Sequence, residues 1–274
     1  MTAPTSPLRT DARAAYVLWR RDVLKFFRHG TRIAGAVAQP LIFWLVLGAG
    51  LAGVFRLPAG VGGAGGEGVT YFQYFYPGVL VMVLLFSAIF GTMTVIEDRN
   101  EGFLQAVLVA AASRLSLVLG KTGGAATVAL LQTALFLIFL PWAGFPPGLV
   151  DWPLLMAGLF LSAVGLTASG FCLAWWLDSQ QAYHAIMSVL LVPGWLLSGA
   201  LFPASGAHGA LATLMQLNPL AHTVELLRRA LYGGAPLPAG VGLPGVAAGV
   251  DLLVVGGFAA GALVLATLLC SRRG

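Results

Sequence analysis

Six apolar segments, each about as long as a membrane-spanning helix, constrain the fold of this chain more than any other feature. A helix needs about 20 apolar residues to cross the roughly 30 Å of bilayer hydrocarbon. Because lipid cannot hydrogen-bond backbone groups, each segment is expected to be helical. We therefore predict an all-α membrane helix bundle, a single domain over residues 1–274, with spans at about 33–54, 74–96, 123–143, 154–177, 183–202 and 247–270.

The composition excludes an ordinary soluble domain. Apolar residues make up 58% of the chain and charged residues 9%, whereas soluble domains carry about 25% charged residues. The first apolar run starts near Ile33 behind a long basic region, and we expect it to span rather than to be a cleaved leader. Cys172 and Cys270 both lie in apolar segments, so neither a disulfide nor a metal site is expected.

Basic residues are concentrated on one side of the predicted spans. With the N-terminus in the cytoplasm, twelve of the 15 Lys and Arg residues fall in cytoplasmic segments, as the positive-inside rule requires. We expect a multi-pass protein of the plasma (inner) membrane with both termini in the cytoplasm. The net charge of +5 forms no groove, so nucleic acid is not an expected partner. The three outside cations are Arg56, Arg228 and Arg229.

Residues 11–28 are predicted to form a basic amphipathic helix. Its aromatic residues fall in one arc at 100° per residue, and its cations fill most of the remainder. Such a helix lies in the membrane interface with its cations toward anionic lipid. Packing of a soluble helix on a neighbouring domain is the alternative. The residues that carry the interfacial interpretation are Tyr16, Trp19, Arg20, Arg21, Lys25, Phe26 and Phe27.

Two connecting segments have internal structure of their own. Residues 97–121 begin with charges and continue with an apolar stretch too short to span, which predicts a short helix at the cytoplasmic face; a plain polar connector is the alternative. Residues 203–246 contain two short apolar stretches separated at Asn218 and Pro219, which predicts a helical hairpin dipping into the outer leaflet. We place Pro203, Asn218, Pro219, Glu225 and Arg228 in this hairpin, with Glu225 and Arg228 as a surface ion pair.

Motifs for catalysis and nucleotide binding are missing from the sequence. Gly120-Lys121-Thr122 resembles the end of a phosphate-binding loop, but Leu115 stands where the first glycine is required. No His-Glu-x-x-His or Gly-x-Ser-x-Gly motif occurs. We therefore expect no catalytic residue, no bound cofactor and no metal in this chain. Among the histidines only His184 is considered for function; Gln39, Gln132, Gln180 and Gln181 are expected to bond between helices or to line a substrate path.

Two sets of residues resemble a known family. The first contains Glu97, Glu101-Gly102, the apolar run from Phe103 to Ala110, Ser113-Arg114 and Gly120-Lys121. The second contains Leu201-Phe202-Pro203, Asn218-Pro219-Leu220, the run from Val224 to Arg228, and Leu231-Tyr232-Gly233. In this order they resemble the ATP-binding-cassette type 2 permeases, which include drug-resistance and lipo-oligosaccharide exporters. The chain departs from the family at Ala110–Ala112, where members often have a proline.

The resemblance implies a half-transporter: two copies of the permease and two separate ATP-binding subunits, which would hold ATP and Mg²⁺. Membrane lipid is the remaining expected partner. The resemblance further implies export of a lipophilic drug, lipid or lipid-linked saccharide. A coupling helix beginning near Glu97 would dock on the ATPase. Its expected contact residues are Glu97, Asp98, Arg99, Asn100, Glu101, Gly102, Phe103, Leu104 and Gln105.

Two other classes of function remain open from the residues alone. A secondary transporter or channel would couple to an ion gradient, although the predicted spans contain few ionisable groups for this purpose. A membrane-embedded, lipid-modifying enzyme would use a residue such as His184 or Asp178, although polar residues at any one depth are sparse.

Overall fold

A computed structural model describes residues 7–28, 30–53, 69–109, 113–204, 207–238, 241–243 and 246–272. Side chains are described in these ranges for residues 10–28 and from residue 38 onward. The glycine-rich run 60–68 and the Ala110–Ala112 departure lie outside the described residues. Within the described residues the regular structure is entirely helical, which confirms the all-α prediction.

The described residues form ten α-helices. Two short 3₁₀ helices, Leu137–Phe139 and Pro147–Leu149, lie between the fifth and the sixth of them. The α-helices are α1 (Pro7–Phe27), α2 (Gly30–Leu51), α3 (Tyr71–Asn100), α4 (Phe103–Val109), α5 (Arg114–Phe136), α6 (Trp152–Trp176), α7 (Gln180–Leu196), α8 (Ala210–Leu217), α9 (Pro219–Leu231) and α10 (Ala248–Arg272).

Four segments are long and apolar enough to cross a bilayer: Tyr71–Asn100, Arg114–Phe139, Trp152–Trp176 and Ala248–Arg272. They make the chain a multi-pass membrane protein. Helix α2 contributes a shorter apolar stretch, Ala38–Leu51, and α7 has 17 residues. The count of six spans therefore stays a prediction.

The third predicted span begins nine residues earlier than expected. Ser113 caps α5, its side chain accepting a hydrogen bond from the Ser116 amide at 3.2 Å. Lys121, which had been assigned to the cytoplasmic loop, lies inside α5 and is buried. A lysine in an apolar helix is unfavourable unless partners neutralise it, which is why the sequence placed Lys121 in the loop. Its partners, Asp22 and Asp98, come from other helices.

Helix α3 lies at the centre of the bundle and contacts α2, α5, α6, α7 and α9. Its first turns carry aromatic residues, of which Tyr71, Tyr74, Phe75 and Tyr76 are buried. The Tyr74 hydroxyl donates to Gly199 O at 2.6 Å, and the Tyr76 hydroxyl donates to Phe136 O at 3.0 Å. Each tyrosine buries its ring and satisfies its hydroxyl on a neighbouring backbone.

Helix α1 packs closely on α5 through two glycines. A Cβ atom at Gly120 would lie 2.8 Å from Leu18 Cβ, and one at Gly124 would lie 3.0 Å from Asp22 Cβ. Small residues allow such close approach of two helices. The Trp19 indole donates to Thr127 Oγ1 at 2.9 Å across the same seam.

Candidate coupling site where α1 and α4 meet the bundle

Four charged side chains meet where α1 crosses the ends of α3 and α5; we call Arg21, Asp22, Asp98 and Lys121 the α1 cluster. Asp98 is completely buried, and Arg21 donates to both its carboxylate oxygens at 2.7 Å. The Lys121 ammonium also contacts Asp98 and lies 2.9 Å from Asp22 Oδ2. Two anions and two cations thus neutralise one another inside the protein.

Burial and pairing oppose each other in the α1 cluster. Burial raises the pKa of the Asp22 carboxyl, and the Lys121 ammonium limits that rise. The hydrogen bond to Asp98 raises the pKa of the Arg21 guanidinium, so Arg21 stays charged. Removing one member of a buried ion pair typically costs about 3–5 kcal/mol. The cluster therefore holds α1 firmly against α3 and α5.

Helix α4 is attached to this cluster. The Arg21 guanidinium carbon lies 3.9 Å from the centre of the Phe103 ring, a cation–π contact. Within α4, Leu104 is the residue whose side chain is buried. Gly102 makes the turn between α3 and α4 with φ of +76°, a conformation that favours glycine. The opposite face of α4 is exposed, and it carries Glu101, Gln105, Ala106 and Val109.

The predicted coupling residues divide into two groups. The helix expected to begin near Glu97 does not begin there, because α3 continues to Asn100 and α4 starts at Phe103. Asp98 pairs inside the α1 cluster, Glu97 pairs with Lys25 at 3.1 Å, and Arg99 pairs with Asp178 at 3.0 Å. Asn100, Glu101 and Gln105 are exposed, and Gly102 and Phe103 are half-buried.

Arg99 also joins two helices at this end of the bundle. Its guanidinium donates to Leu177 O at 3.1 Å and to Trp175 O at 2.9 Å. These carbonyls end α6 and have no partner within that helix. The ends of α3 and α6 and the start of α7 are therefore held together beside the α1 cluster.

The predicted interfacial helix is less strictly amphipathic than its sequence suggests. Tyr16, Phe27 and Arg20 are exposed, whereas Trp19 packs on α5. Phe26 is half-buried. Arg21 and Lys25, which were assigned to the polar face toward lipid, pair with carboxylates of α3 instead. Contact of α1 with lipid stays a prediction.

A second charged group lies around α9, and we call His222, Glu225, Arg228, Arg229 and Asp251 the α9 cluster. Glu225 and Arg228 were predicted as a surface pair, but their side chains are 1% and 3% exposed, since α9 is packed between α3, α6 and α10. Arg228 donates to Val241 O at 2.8 Å and Gly199 O at 3.2 Å. Its guanidinium carbon lies 4.7 Å from the Tyr74 ring centre.

Arg229 links Glu225 to α10. Its guanidinium lies 2.9 Å from Glu225 Oε1 and 3.2 Å from Asp251 Oδ2. Both contacts fall outside hydrogen-bond geometry, so we treat them as ion pairs. Asp251 is completely buried and also contacts His222 at 2.8 Å.

The hydrogen bonds of His222 define its protonation. Nε2 lies 2.7 Å from Gln216 O, a carbonyl that can only accept, and Nδ1 lies 2.8 Å from the Asp251 carboxylate. Both ring nitrogens therefore carry a proton when Asp251 is ionised. The Asp251 hydrogen bond raises the pKa of His222, and this rise outweighs the effect of burial.

The α9 cluster was missed by reasoning from the sequence. His184 was the histidine considered there, and it packs against Phe90 and Tyr183. A usable signal was Asp251 itself, because an acidic residue in an apolar span requires a partner. Spacing along the chain does not show which residues are those partners.

Asn218 joins the hairpin helices α8 and α9. Its side-chain oxygen caps α9 by accepting from the Leu220 amide at 3.0 Å, and Pro219 occupies the first turn. Its side-chain nitrogen donates to Gly194 O of α7 at 2.6 Å. Pro203 lies half-buried in the segment before α8. The Asn-Pro pair thus ends one helix and begins the next.

We expect Asn218→Ala to lower the free energy of unfolding by about 1–2 kcal/mol, because both the cap and the bond to Gly194 are lost. Tryptophan fluorescence during denaturation in detergent measures this change. Gln216→Ala is the matched control, since that amide side chain is exposed on neighbouring α8; we expect a change within about 0.5 kcal/mol. Equal losses in the two variants would contradict the role given to Asn218.

Comparison with known proteins places this arrangement in a family. The sequence pattern of the ABC-2 type transporters matches residues 13–232. The putative transport permease ycf38 of Cyanophora paradoxa is 28% identical over 215 residues, covering 78% of this chain and 72% of the relative. Nodulation protein J of Rhizobium leguminosarum bv. viciae is 26% identical, covering 79% and 81%. The probable multidrug ABC transporter permease YbhR of Escherichia coli K12 is 26% identical, covering 62% and 46%.

The fold and the matched residues are those of a multi-pass helical permease. The chain belongs to the ABC-2 type transporter family. The resemblance based on the loop and hairpin residues is confirmed. Membership in this family implies association with an ATP-binding subunit.

Proposed function

We propose that this chain is the membrane permease of an ATP-driven exporter. Two copies would act with two separate ATP-binding subunits, which would bind ATP and Mg²⁺. The cargo would be a lipophilic drug, a lipid or a lipid-linked saccharide. Six spans would place both termini on the cytoplasmic side of the plasma (inner) membrane, with α1 in contact with lipid.

The attachment of α4 to the α1 cluster carries the proposal. A partner can change the conformation of the permease only if its contacts differ in free energy between two states. Helix α4 offers an exposed face around Glu101 and Gln105, while its other face contacts Arg21 and the core. A displacement of α4 would therefore reach α3 and α5 through Asp98 and Lys121.

The distribution of charge supports the proposed orientation. The end of the bundle that holds α1, α4 and the start of α5 carries most of the chain's cations. This end would face the cytoplasm under the positive-inside rule. The name of one relative, a probable multidrug ABC transporter permease, supports a drug as the cargo.

We expect Glu101→Arg to lower co-purification of the ATP-binding subunit at least tenfold, which corresponds to about 1.4 kcal/mol. Glu101 is exposed at the turn into α4, so its reversal leaves the core intact. The measurement is ATPase activity recovered with the tagged permease from native membranes. Glu67→Arg is the matched control, because it makes the same charge change in the glycine-rich run 60–68, which lies between the first two predicted spans.

Three outcomes separate the possible functions. If Glu101→Arg lowers the recovered ATPase activity and Glu67→Arg does not, docking at α4 is supported. Equal recovery in both variants would move the docking site elsewhere. A well-folded wild-type permease that recovers no ATPase would contradict the exporter and favour a secondary transporter or a membrane enzyme.

A further inference from the structure

A slot of about 460 Å³ lies between α1, α2, α3 and α5. Small-molecule sites in proteins commonly measure about 300–1,000 Å³. The side of the slot formed by α3 runs from Met82 to Thr94, about 18 Å at 1.5 Å per residue. One end is bounded by Asp22, Lys25 and Phe26 of α1. The slot therefore extends from the level of α1 toward the middle of α3.

The lining of the slot combines apolar, aromatic and polar side chains. Small or apolar residues of α5, such as Ala125 and Val128, form one wall. The opposite wall is aromatic and sulfur-containing, with Phe86, Phe90 and Met93, and thioethers pack favourably against aromatic rings. The slot is polar part-way along its length, because Ser87, between Met82 and Thr94 on α3, bonds to Gln132 there; Gln39 is a third polar lining residue.

Gln132 presents open hydrogen-bond donors to the slot. Its side chain is 95% buried, since the residue is 5% exposed, and its Oε1 accepts from the Ser87 hydroxyl. Among the described residues, nothing accepts a hydrogen bond from its Nε2. Gln132 lines the slot, where an amide donor without an acceptor is costly. An acceptor supplied by a ligand would satisfy it.

We propose that this slot binds an elongated aromatic small molecule with an acceptor oxygen at one end. The oxygen would accept from Gln132 Nε2, and the ring system would lie between Phe86, Phe90 and Val128. An acyl chain of a bilayer lipid fits less well, because its methylene groups would leave the amide donor unpaired. The inference rests on the proposed function only in making this ligand a cargo.

Photolabelling with 4-hexylbenzophenone tests the site. This neutral aromatic ketone has an acceptor oxygen, and under ultraviolet light it inserts into nearby C–H bonds, favouring methionine. The permease alone is placed in phosphatidylcholine nanodiscs, and labelled peptides are identified by mass spectrometry. Met82 and Met93 line the slot, whereas Met156 is exposed on α6 and reports contact from bulk lipid.

We expect the labelling of Met82 and Met93, relative to Met156, to fall at least fivefold in Gln132→Leu. Val128→Phe fills part of the slot while Gln132 itself is unchanged, and it should lower the ratio similarly. Gln181→Leu makes the same change at an exposed amide of α7 and should leave the ratio unchanged. Melting temperatures of the purified variants identify any that fail to fold, and either of the first two alone tests the site.

Two results would overturn the proposal. A ratio that neither Gln132→Leu nor Val128→Phe changes would mean that the ketone does not occupy the slot. Loss of labelling when phosphatidylglycerol replaces phosphatidylcholine, with no effect of Gln132→Leu, would identify an anionic lipid as the occupant. Because this measurement uses no ATPase, its failure leaves the test with Glu101→Arg unaffected.

Discussion

Lys121→Met is expected to lower the free energy of unfolding by about 3–5 kcal/mol, which is the usual effect of removing one partner from a buried ion pair. The methionine fills a similar volume but leaves Asp98 and Asp22 with Arg21 as their remaining neutralising neighbour in the α1 cluster. Two carboxylates then share one cation, and Asp98 has no access to water that could solvate the surplus negative charge. Denaturation of the purified protein in detergent, followed by tryptophan fluorescence, measures the loss.

Lys25→Met is the matched control for this variant. Lys25 also lies close to α3 and pairs with Glu97, but the two side chains are 30% and 18% exposed. Water screens such a pair, and we expect its loss to cost no more than about 1 kcal/mol. Equal effects of the two substitutions would mean that the α1 cluster contributes no special stability.

The function of Lys121 can be separated from its effect on stability. Asp98→Asn in the Lys121→Met background removes the charge that the first substitution left unpaired. We expect this double variant to recover part of the stability, because a neutral amide costs less to bury than an unpaired carboxylate. If α4 acts through the cluster, ATPase coupling should remain impaired although the protein is stable again.

Much of the helical organisation could be predicted from the sequence, because apolar length and the needs of backbone groups in lipid are local properties. The prediction was weakest where charged residues continue a membrane helix. Glu97, Asp98 and Arg99 end α3, and Lys121 lies inside α5. Their tolerance depends on partners in other helices, 23 to 99 residues away along the chain, and spacing within one helix carries no information about such partners.

The candidate sites show the same limit. The Asn-Pro break between α8 and α9 is evident from the sequence, since capping and proline chemistry act within a few residues. Glu225 and Arg228 do pair, as their i, i+3 spacing predicted, but the predicted surface position was wrong, because three helices cover α9. Gln132 was recognised as polar within a span, yet only the tertiary structure places it on a slot with Gln39.

Asp251→Leu is expected to lower the free energy of unfolding by about 3–5 kcal/mol, because it leaves two cations of the α9 cluster without their shared carboxylate. Asp251 is completely buried and lies 2.8 Å from His222 and 3.2 Å from Arg229. Arg229 retains Glu225 as a partner, so we expect most of the lost stability to come from the unpaired His222. Asp178→Leu is the matched control, since that carboxylate is 91% exposed, and we expect a loss within about 1 kcal/mol.

The same residue controls how stability depends on pH. Asp251 raises the pKa of His222 in the folded protein above its ordinary value of about 6.5. The stabilisation from charged His222 is therefore fully present below about pH 6.5 and is lost as the pH rises through the higher folded pKa. We expect the melting temperature of the wild type to decline over that interval, and Asp251→Leu to abolish the decline because its cause is gone. An unchanged decline in Asp251→Leu would assign the titration to another group, and His222→Gln would then retain it as well.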